Sequence, residues 1–220
     1  MKRDPILRAE LATFLGLTIL LSSLWYGLII AAGGLAHAPG YVNLLMWSPA
    51  VGALGTQLVF HRTLRDLGWR LPAFRWAALG YVLPLAYATV AYGTVWLARL
   101  GGLDLARGPR DPLKFVLLGT LVSLLTATGE ELGWRGYLVP ALARTMSLAR
   151  VAVVSGFIWA AWHLPLIAFG SYNAGTSTWY AVLCFTISVV ALSLPMAWLR
   201  LRSGSVWPVA LLHASHNLYV

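Results

Sequence analysis

The sequence predicts an all-α protein, a polytopic membrane helical bundle of about seven transmembrane helices (six to eight). Of its 220 residues, 59% are hydrophobic and only 10% are charged, and the mean hydropathy is +0.74. A soluble domain carries about 25% charged residues, so this composition excludes an ordinary soluble globule. At about 20 apolar residues per crossing, the length accommodates about six to eight helices. Cys184 is the only cysteine, which excludes a disulfide-rich secreted scaffold.

Apolar runs define the predicted spans in order along the chain. The first run is about 22 residues long, which is too long for a signal-peptide core, so we expect it to be an anchor. The fourth span is expected to break near Pro140. No linker or internal repeat separates the runs, so we expect a single integral membrane domain over residues 1–220. The predicted spans are 11–32, 41–60, 76–98, 113–143, 149–169, 178–199 and 204–220.

The basic residues indicate the orientation of the bundle. The net charge of +9 is spread between the apolar runs and does not form the patch of a nucleic-acid-binding protein. Eleven basic residues fall on one predicted side and four on the other, which favours a cytoplasmic N-terminus. The eleven are Lys2, Arg3, Arg8, Arg62, Arg65, Arg70, Arg75, Arg144, Arg150, Arg200 and Arg202, and the four are Arg99, Arg107, Arg110 and Lys114.

Two adjacent carboxylates interrupt the fourth apolar run. Glu130 and Glu131 are the only acidic residues after position 111, and Arg135 follows them. One charged residue in the middle of a membrane helix costs about 2.5–3.5 kcal/mol, so three close together require a reason. Glu131 and Arg135 have the i,i+4 spacing of a helical ion pair. Glu130 points about 100° away and has no partner in this segment, which suits a general base.

Histidines mark the same half of the chain. His163, His213 and His216 each lie within an apolar run, and Asn217 follows His213 at i,i+4 on the same helix face. A single intramembrane histidine often only joins two helices. Counted from the predicted inner ends of their spans, Glu130, His163 and His213 lie roughly 21, 20 and 15 Å deep. The three side chains are therefore predicted to meet at one level of the membrane.

Acids and imidazoles in a membrane cavity fit either a proton relay or hydrolysis. The sequence contains neither the His-Glu-x-x-His motif of zinc proteases nor the Gly-x-Ser-x-Gly elbow of serine hydrolases. An aspartyl mechanism is excluded because every aspartate is predicted to lie in a loop or tail. These are Asp4, Asp66, Asp104 and Asp111.

Together these motifs resemble the CPBP (CAAX protease and bacteriocin-processing, or ABI) family, whose members are intramembrane endopeptidases that include the type II CAAX prenyl endopeptidase. The resemblance rests on Glu130-Glu131-x-x-x-Arg135, then on His163, then on His213-x-x-x-Asn217, and covers about residues 113–217. The family has Phe four residues before the middle histidine, where this chain has Trp159. The resemblance implies a catalytic core over 113–220, in the last four helices, and accessory helices over 1–112.

The resemblance also implies roles for individual residues. Glu130 is expected to activate a water molecule that His163 helps to hold. His213 and Asn217 are expected to donate hydrogen bonds to the oxyanion. From spacing alone we expect Glu131 and Arg135 to pair as support. The remaining two positions are Trp159, expected to pack against the imidazole, and His216, which matches no family position and is interpreted as structural or pocket-lining.

The expected cofactor and partners follow from the same resemblance. We expect a metal-free glutamate mechanism, with a zinc site on Glu130, His163 and His213 as the less favoured alternative. The expected partners are the lipid bilayer and a peptide or protein cleaved near the membrane or near its C-terminus, and no nucleic acid. The location is expected on a different ground, since a compact chain without soluble extensions favours a prokaryotic cytoplasmic membrane. Two other functions stay open, a proton-coupled transporter and a catalytically silent immunity or scaffold protein.

Overall fold

The computed structural model describes residues 4–102 and 108–220. Lys2, Arg3, Asp104 and Arg107, which entered the sequence interpretation, lie outside the described residues. Every regular element in the described ranges is helical, as the composition predicted. The elements are α1 (Pro5–Ala31), α2 (Pro39–Phe60), α3 (Phe74–Leu97), α4 (Pro112–Glu131), a π-helical segment (Leu132–Leu138), α5 (Val139–Ala143), α6 (Leu148–Phe169), α7 (Thr178–Ser203) and α8 (Trp207–Tyr219), with short 3₁₀ turns at Leu35–His37 and Arg65–Leu67.

A helix occupies each of the seven predicted spans, but not every helix is long and apolar enough to cross a membrane. Within the described residues, five stretches are long and apolar enough, namely α1, α3, the continuous run α4 to α5, α6 and α7. The last helix, α8, has 13 residues and is therefore about 20 Å long. The other two helices, α2 and α8, are not among these stretches.

The fourth span is irregular at a different place from the one predicted. The expected break at Pro140 is wrong, since the helix continues through this residue, which lies two positions after the end of a π-helical segment. The irregularity is instead the π-helical segment Leu132–Leu138, which directly follows Glu131. Such a segment re-aims side chains within a helix and is frequent at functional sites.

Aspartate side chains cap the first turns of α1 and α4. Asp4 accepts hydrogen bonds from the backbone N–H groups of Ile6 and Leu7 at the start of α1, both at 3.1 Å. Asp111 accepts one from Lys114 at 2.9 Å at the start of α4. Both aspartates are therefore helix N-caps.

Two glycines bring α2 into close contact with the end of α4 and with the π-helical segment, beside the acidic pair. A Cβ atom at Gly129 would lie 2.8 Å from the carbonyl oxygen of Met46, and one at Gly133 would lie 2.6 Å from the carbonyl oxygen of Pro49. Only a residue without a side chain fits at these positions. The spacing of four residues matches the small-residue interfaces of membrane helices.

A second contact holds α1 to the end of α5. Glu10 is 2% exposed and receives Arg144 at 2.7 Å and His61 at 3.3 Å. Arg144 also pairs with Asp4 at 3.1 Å. These bonds tie the N-terminal helix to the half of the chain that carries the site.

Candidate active site

Glu131 is buried and receives two donors on one oxygen. Its Oε1 accepts Arg135 Nη1 at 2.8 Å and His213 Nδ1 at 2.8 Å, and its side chain is fully buried. The i,i+4 contact that the spacing predicted is therefore present, although Arg135 belongs to the π-helical segment. Through His213, Glu131 also joins α4 to α8.

Arg135 is held from three sides. Besides its contact with Glu131, its Nη2 donates to Ser193 on α7 at 3.3 Å. The guanidinium carbon lies 3.9 Å from the ring centroid of Trp159, within the range of a cation–π contact. Because an unpaired charge is costly in this interior, these partners explain how a cation is accommodated at 1% exposure.

Glu130 has its partner on another helix. The Trp159 indole N–H donates to Glu130 Oε2 at 2.8 Å, and both residues are buried. Glu130 Oε1 accepts no hydrogen bond from the described residues. The sequence interpretation left Glu130 without a partner because the donor comes from α6 and lies 29 positions away. Trp159 was expected to pack against the imidazole, and its ring does contact His163 and His213, with centroid distances of 5.8 and 5.3 Å.

The imidazole of His163 is surrounded by aromatic rings, and one of its nitrogens is hydrogen-bonded to the backbone. Its Nδ1 is 2.9 Å from the Trp159 carbonyl oxygen. Because a carbonyl only accepts, Nδ1 carries a proton, and in the neutral ring Nε2 is left as an acceptor. The ring contacts Phe185, Trp162 and Tyr172, at centroid distances of 4.7, 4.8 and 6.2 Å.

Two adjoining cavities bring the four predicted catalytic residues together. A cavity of about 560 Å³ is lined by Glu130, His163, His213 and Asn217, with apolar residues of α2. A second cavity, of about 540 Å³, shares the histidines and Asn217 and extends between α3 and α7. Asn217 is exposed to this space and makes no side-chain hydrogen bond to the described residues.

His216 also lines both cavities. Its Nδ1 lies 2.7 Å from the hydroxyl of Tyr87 on α3. This placement agrees with the pocket-lining interpretation. It also brings a helix from the N-terminal half of the chain to the edge of the site.

The donor set does not match a metal site. Within residues 4–102 and 108–220, no three His, Cys, Asp or Glu side chains are arranged so that they could hold a metal ion. The alternative zinc ligands Glu130, His163 and His213 therefore do not form such a group. One oxygen of Glu130 and one nitrogen of each histidine are hydrogen-bonded to protein groups, and the second oxygen or nitrogen of each has no such bond to the described residues.

Several residues of the site carried no sequence signal. Tyr87, Tyr172, Phe185 and Ser193 are ordinary members of apolar or loop segments. They reach the site through packing between helices that are distant in sequence. The glutamates and histidines were identified because charged and polar residues are unusual in apolar runs. The aromatic residues of the site are common in such runs, so the sequence pattern did not distinguish them.

Comparisons with known proteins point to one family. Residues 112–219 match the family described as type II CAAX prenyl endopeptidase Rce1-like. The CAAX prenyl protease 2 of Methanococcus maripaludis is 36% identical to this chain over 96 residues. Both findings confirm the resemblance to the CPBP family that the motifs predicted. The matched residues make up 42% of this chain and 33% of that relative, so the match spans about a third of the relative's length.

Proposed function

We propose that this protein is an intramembrane endopeptidase that uses a glutamate-activated water, because residues 112–219 match the Rce1-like family of type II CAAX prenyl endopeptidases. The observation that carries the proposal is the shared cavity of Glu130, His163, His213 and Asn217. It places an acid, two imidazoles and an amide around one space large enough for a peptide segment and a water molecule.

Glu130 acts as the general base in this proposal. Trp159 holds Oε2, so Oε1 is the oxygen free to take a proton from water. As the proton passes to Glu130, the water oxygen attacks the scissile carbonyl carbon. Glu130 then gives the proton to the departing amine nitrogen, and the C–N bond breaks. Such proton transfer contributes about 10²–10⁴-fold in rate.

His163 orients the water. Its Nδ1 proton is committed to the Trp159 carbonyl, so Nε2 accepts the second water hydrogen. The surrounding rings of Trp162 and Phe185 restrict rotation of the imidazole. The water is thereby held between two acceptors, the carboxylate and the imidazole.

His213 and Asn217 stabilise the oxyanion. Since the Nδ1 of His213 is bonded to Glu131, only Nε2 remains to donate, and it carries a proton when the ring is an imidazolium. The carboxylate of Glu131 supports that cation, as a carboxylate supports the histidine of a serine protease. The Asn217 amide supplies a second, uncharged donor from one turn further along α8.

The proposal includes the substrate, the cofactor and the location. The substrate is a peptide or protein cleaved near the membrane or near its C-terminus, prenylated or not, and the mechanism is metal-free. The protein lies in a prokaryotic cytoplasmic membrane with its N-terminus in the cytoplasm. We include prenylated substrates because the similar protein of Methanococcus maripaludis is named CAAX prenyl protease 2.

Replacing Glu130 tests this function. In proteoliposomes with labelled peptides that end in prenylated or free cysteine motifs, Glu130→Gln should reduce cleavage by about 10²–10⁴-fold, because the amide cannot accept the water proton. Glu10→Gln is the matched control, since Glu10 is equally buried but lies near the start of α1 and lines neither cavity. It should keep activity within about threefold.

The same assay separates the alternatives. Retained cleavage in Glu130→Gln contradicts the proposal, and cleavage that a zinc chelator abolishes contradicts the metal-free mechanism. Uptake driven by a pH gradient, without cleavage, favours the transporter. Absence of both activities in the wild type favours the silent immunity or scaffold protein.

A further inference from the structure

A tyrosine and a histidine form a polar pair on the cavity wall. The Tyr87 hydroxyl lies 2.7 Å from His216 Nδ1, with ring centroids 5.9 Å apart. His216 lines both cavities, and Tyr87 lines only the one between α3 and α7. Glu130 lines only the other cavity. The pair therefore extends from the shared space at the proposed catalytic residues into the limb of the cavity away from Glu130.

The surroundings of the pair are mainly apolar. Leu83, Val189, Leu192 and Pro195 line the same limb. A peptide entering this limb carries backbone N–H and C=O groups, which must find partners because an unpaired buried polar group is costly. The Tyr87–His216 pair offers a hydrogen-bond partner to a peptide backbone group in this limb of the cavity.

The hydrogen bond of the pair leaves one imidazole nitrogen available. A phenol is a good donor, and when Tyr87 donates to Nδ1 the neutral imidazole carries its proton on Nε2. Among the described residues, Nε2 of His216 has no hydrogen-bond partner. His216 is half-buried and lies next to Asn217 in sequence, so a group bound there lies close to the proposed oxyanion site.

We propose that His216 is a substrate-binding residue whose Nε2–H donates to a backbone carbonyl of the peptide beyond the scissile bond, and that Tyr87 is a positioning residue that fixes the imidazole. The inference rests on the proposed function. It assigns a role in substrate binding to α3, which lies outside the matched residues 112–219.

Steady-state kinetics on a peptide that the wild type cleaves test the assignment. His216→Ala should raise KM about tenfold, the loss of about one hydrogen bond, and leave kcat within about twofold. His216→Gln keeps a donor and should recover part of the loss. Tyr87→Phe keeps the ring but frees the imidazole, and should raise KM about threefold.

Tyr81→Phe is the matched control. Tyr81 is also on α3 and also bonds to α8, through Tyr219 at 2.8 Å, but it lines neither cavity. If Tyr81→Phe raises KM as much as Tyr87→Phe, both residues only hold α3 to α8 and the inference is wrong. It is equally wrong if His216→Ala leaves KM unchanged, or if kcat falls while KM does not.

A binding measurement separates this inference from the proposed function. The Kd of the same fluorescent peptide is measured in a Glu130→Gln background, with and without His216→Ala. A Kd about tenfold weaker supports the assignment, and an equal Kd overturns it. If the wild type cleaves but Kd and KM do not respond to His216, only the inference fails. If no peptide is cleaved by the wild type, the proposed function fails and takes the inference with it.

Discussion

At the scale of residues, the two adjacent glutamates differ because their neighbours differ. Glu131 receives Arg135 and His213 on a single oxygen, which commits it to holding other groups in place. Glu130 receives one neutral donor, the Trp159 indole, and keeps its second oxygen free for the cavity. Two consecutive glutamates therefore serve different purposes. In other active sites, too, different surroundings give two carboxylates different roles.

Trp159→Phe tests the importance of that neutral donor. The substitution keeps an aromatic ring beside both histidines and over Arg135 but removes the hydrogen bond to Glu130. We expect kcat to fall about tenfold or more, since hydrogen bonds to charged groups are worth about 1.5–3 kcal/mol. KM should stay within about twofold, because the substrate does not contact the indole nitrogen in the proposed mechanism.

Trp134→Phe provides the comparison for that experiment. Trp134 is also buried, and its indole nitrogen has no hydrogen-bond partner among the described residues. Its replacement should leave kcat within about threefold. An equal loss of kcat in the two variants, matched by equal losses of thermal stability, would attribute the Trp159 effect to packing alone.

At the scale of elements, α4 and the π-helical segment that follows it position the site by two features. Gly129 and Gly133 allow α2 to approach on one side, and the π-helical segment after Glu131 redirects Arg135 towards Trp159 and Ser193. Both features surround the acidic pair. The sequence contains the two glycines, but only the structure shows that the backbone of α2 packs against them.

Gly133→Ala tests the contact between α2 and the π-helical segment. The added methyl group meets the backbone of Pro49, which cannot move aside as a flexible side chain can. We expect the free energy of unfolding to fall by about 1–3 kcal/mol, the usual range for overpacking. It can be measured by denaturant titration in detergent micelles.

The control for this substitution is Gly16→Ala on α1. A Cβ atom there has no neighbour within 4 Å, and alanine favours a helix over glycine by about 1 kcal/mol. Its stability should be unchanged or slightly higher. Gly133→Ala with the stability of Gly16→Ala would mean that the two helices are not closely packed at this position.

At the scale of the whole molecule, composition and hydropathy predicted the fold class and the order of helices. They predicted seven spans, whereas five stretches of the described residues are long and apolar enough to cross a membrane, and α2 and α8 are not among them. Motif spacing predicted the members of the candidate site and the Glu131–Arg135 contact. The Trp159–Glu130 and Tyr87–His216 contacts depend on which helices pack together, and one sequence carries little information on that.

The orientation of the bundle is a prediction of the whole charge distribution. In a Cys184→Ser background, Ala73→Cys and Ser177→Cys place single thiols at exposed positions between α2 and α3 and between α6 and α7. An impermeant maleimide should label Ser177→Cys from outside intact cells and Ala73→Cys only in inverted vesicles. The reverse pattern would contradict the predicted arrangement of seven spans with a cytoplasmic N-terminus.

The most direct test of the glutamate-activated water is single-turnover cleavage in H₂¹⁸O, followed by mass spectrometry of the product and of the enzyme peptide that contains Glu130. If water attacks the scissile carbonyl, one ¹⁸O atom appears in the new C-terminal carboxylate and none in Glu130. If ¹⁸O appears in Glu130 while the first product is unlabelled, the carboxylate itself attacked the substrate and the proposed mechanism is wrong.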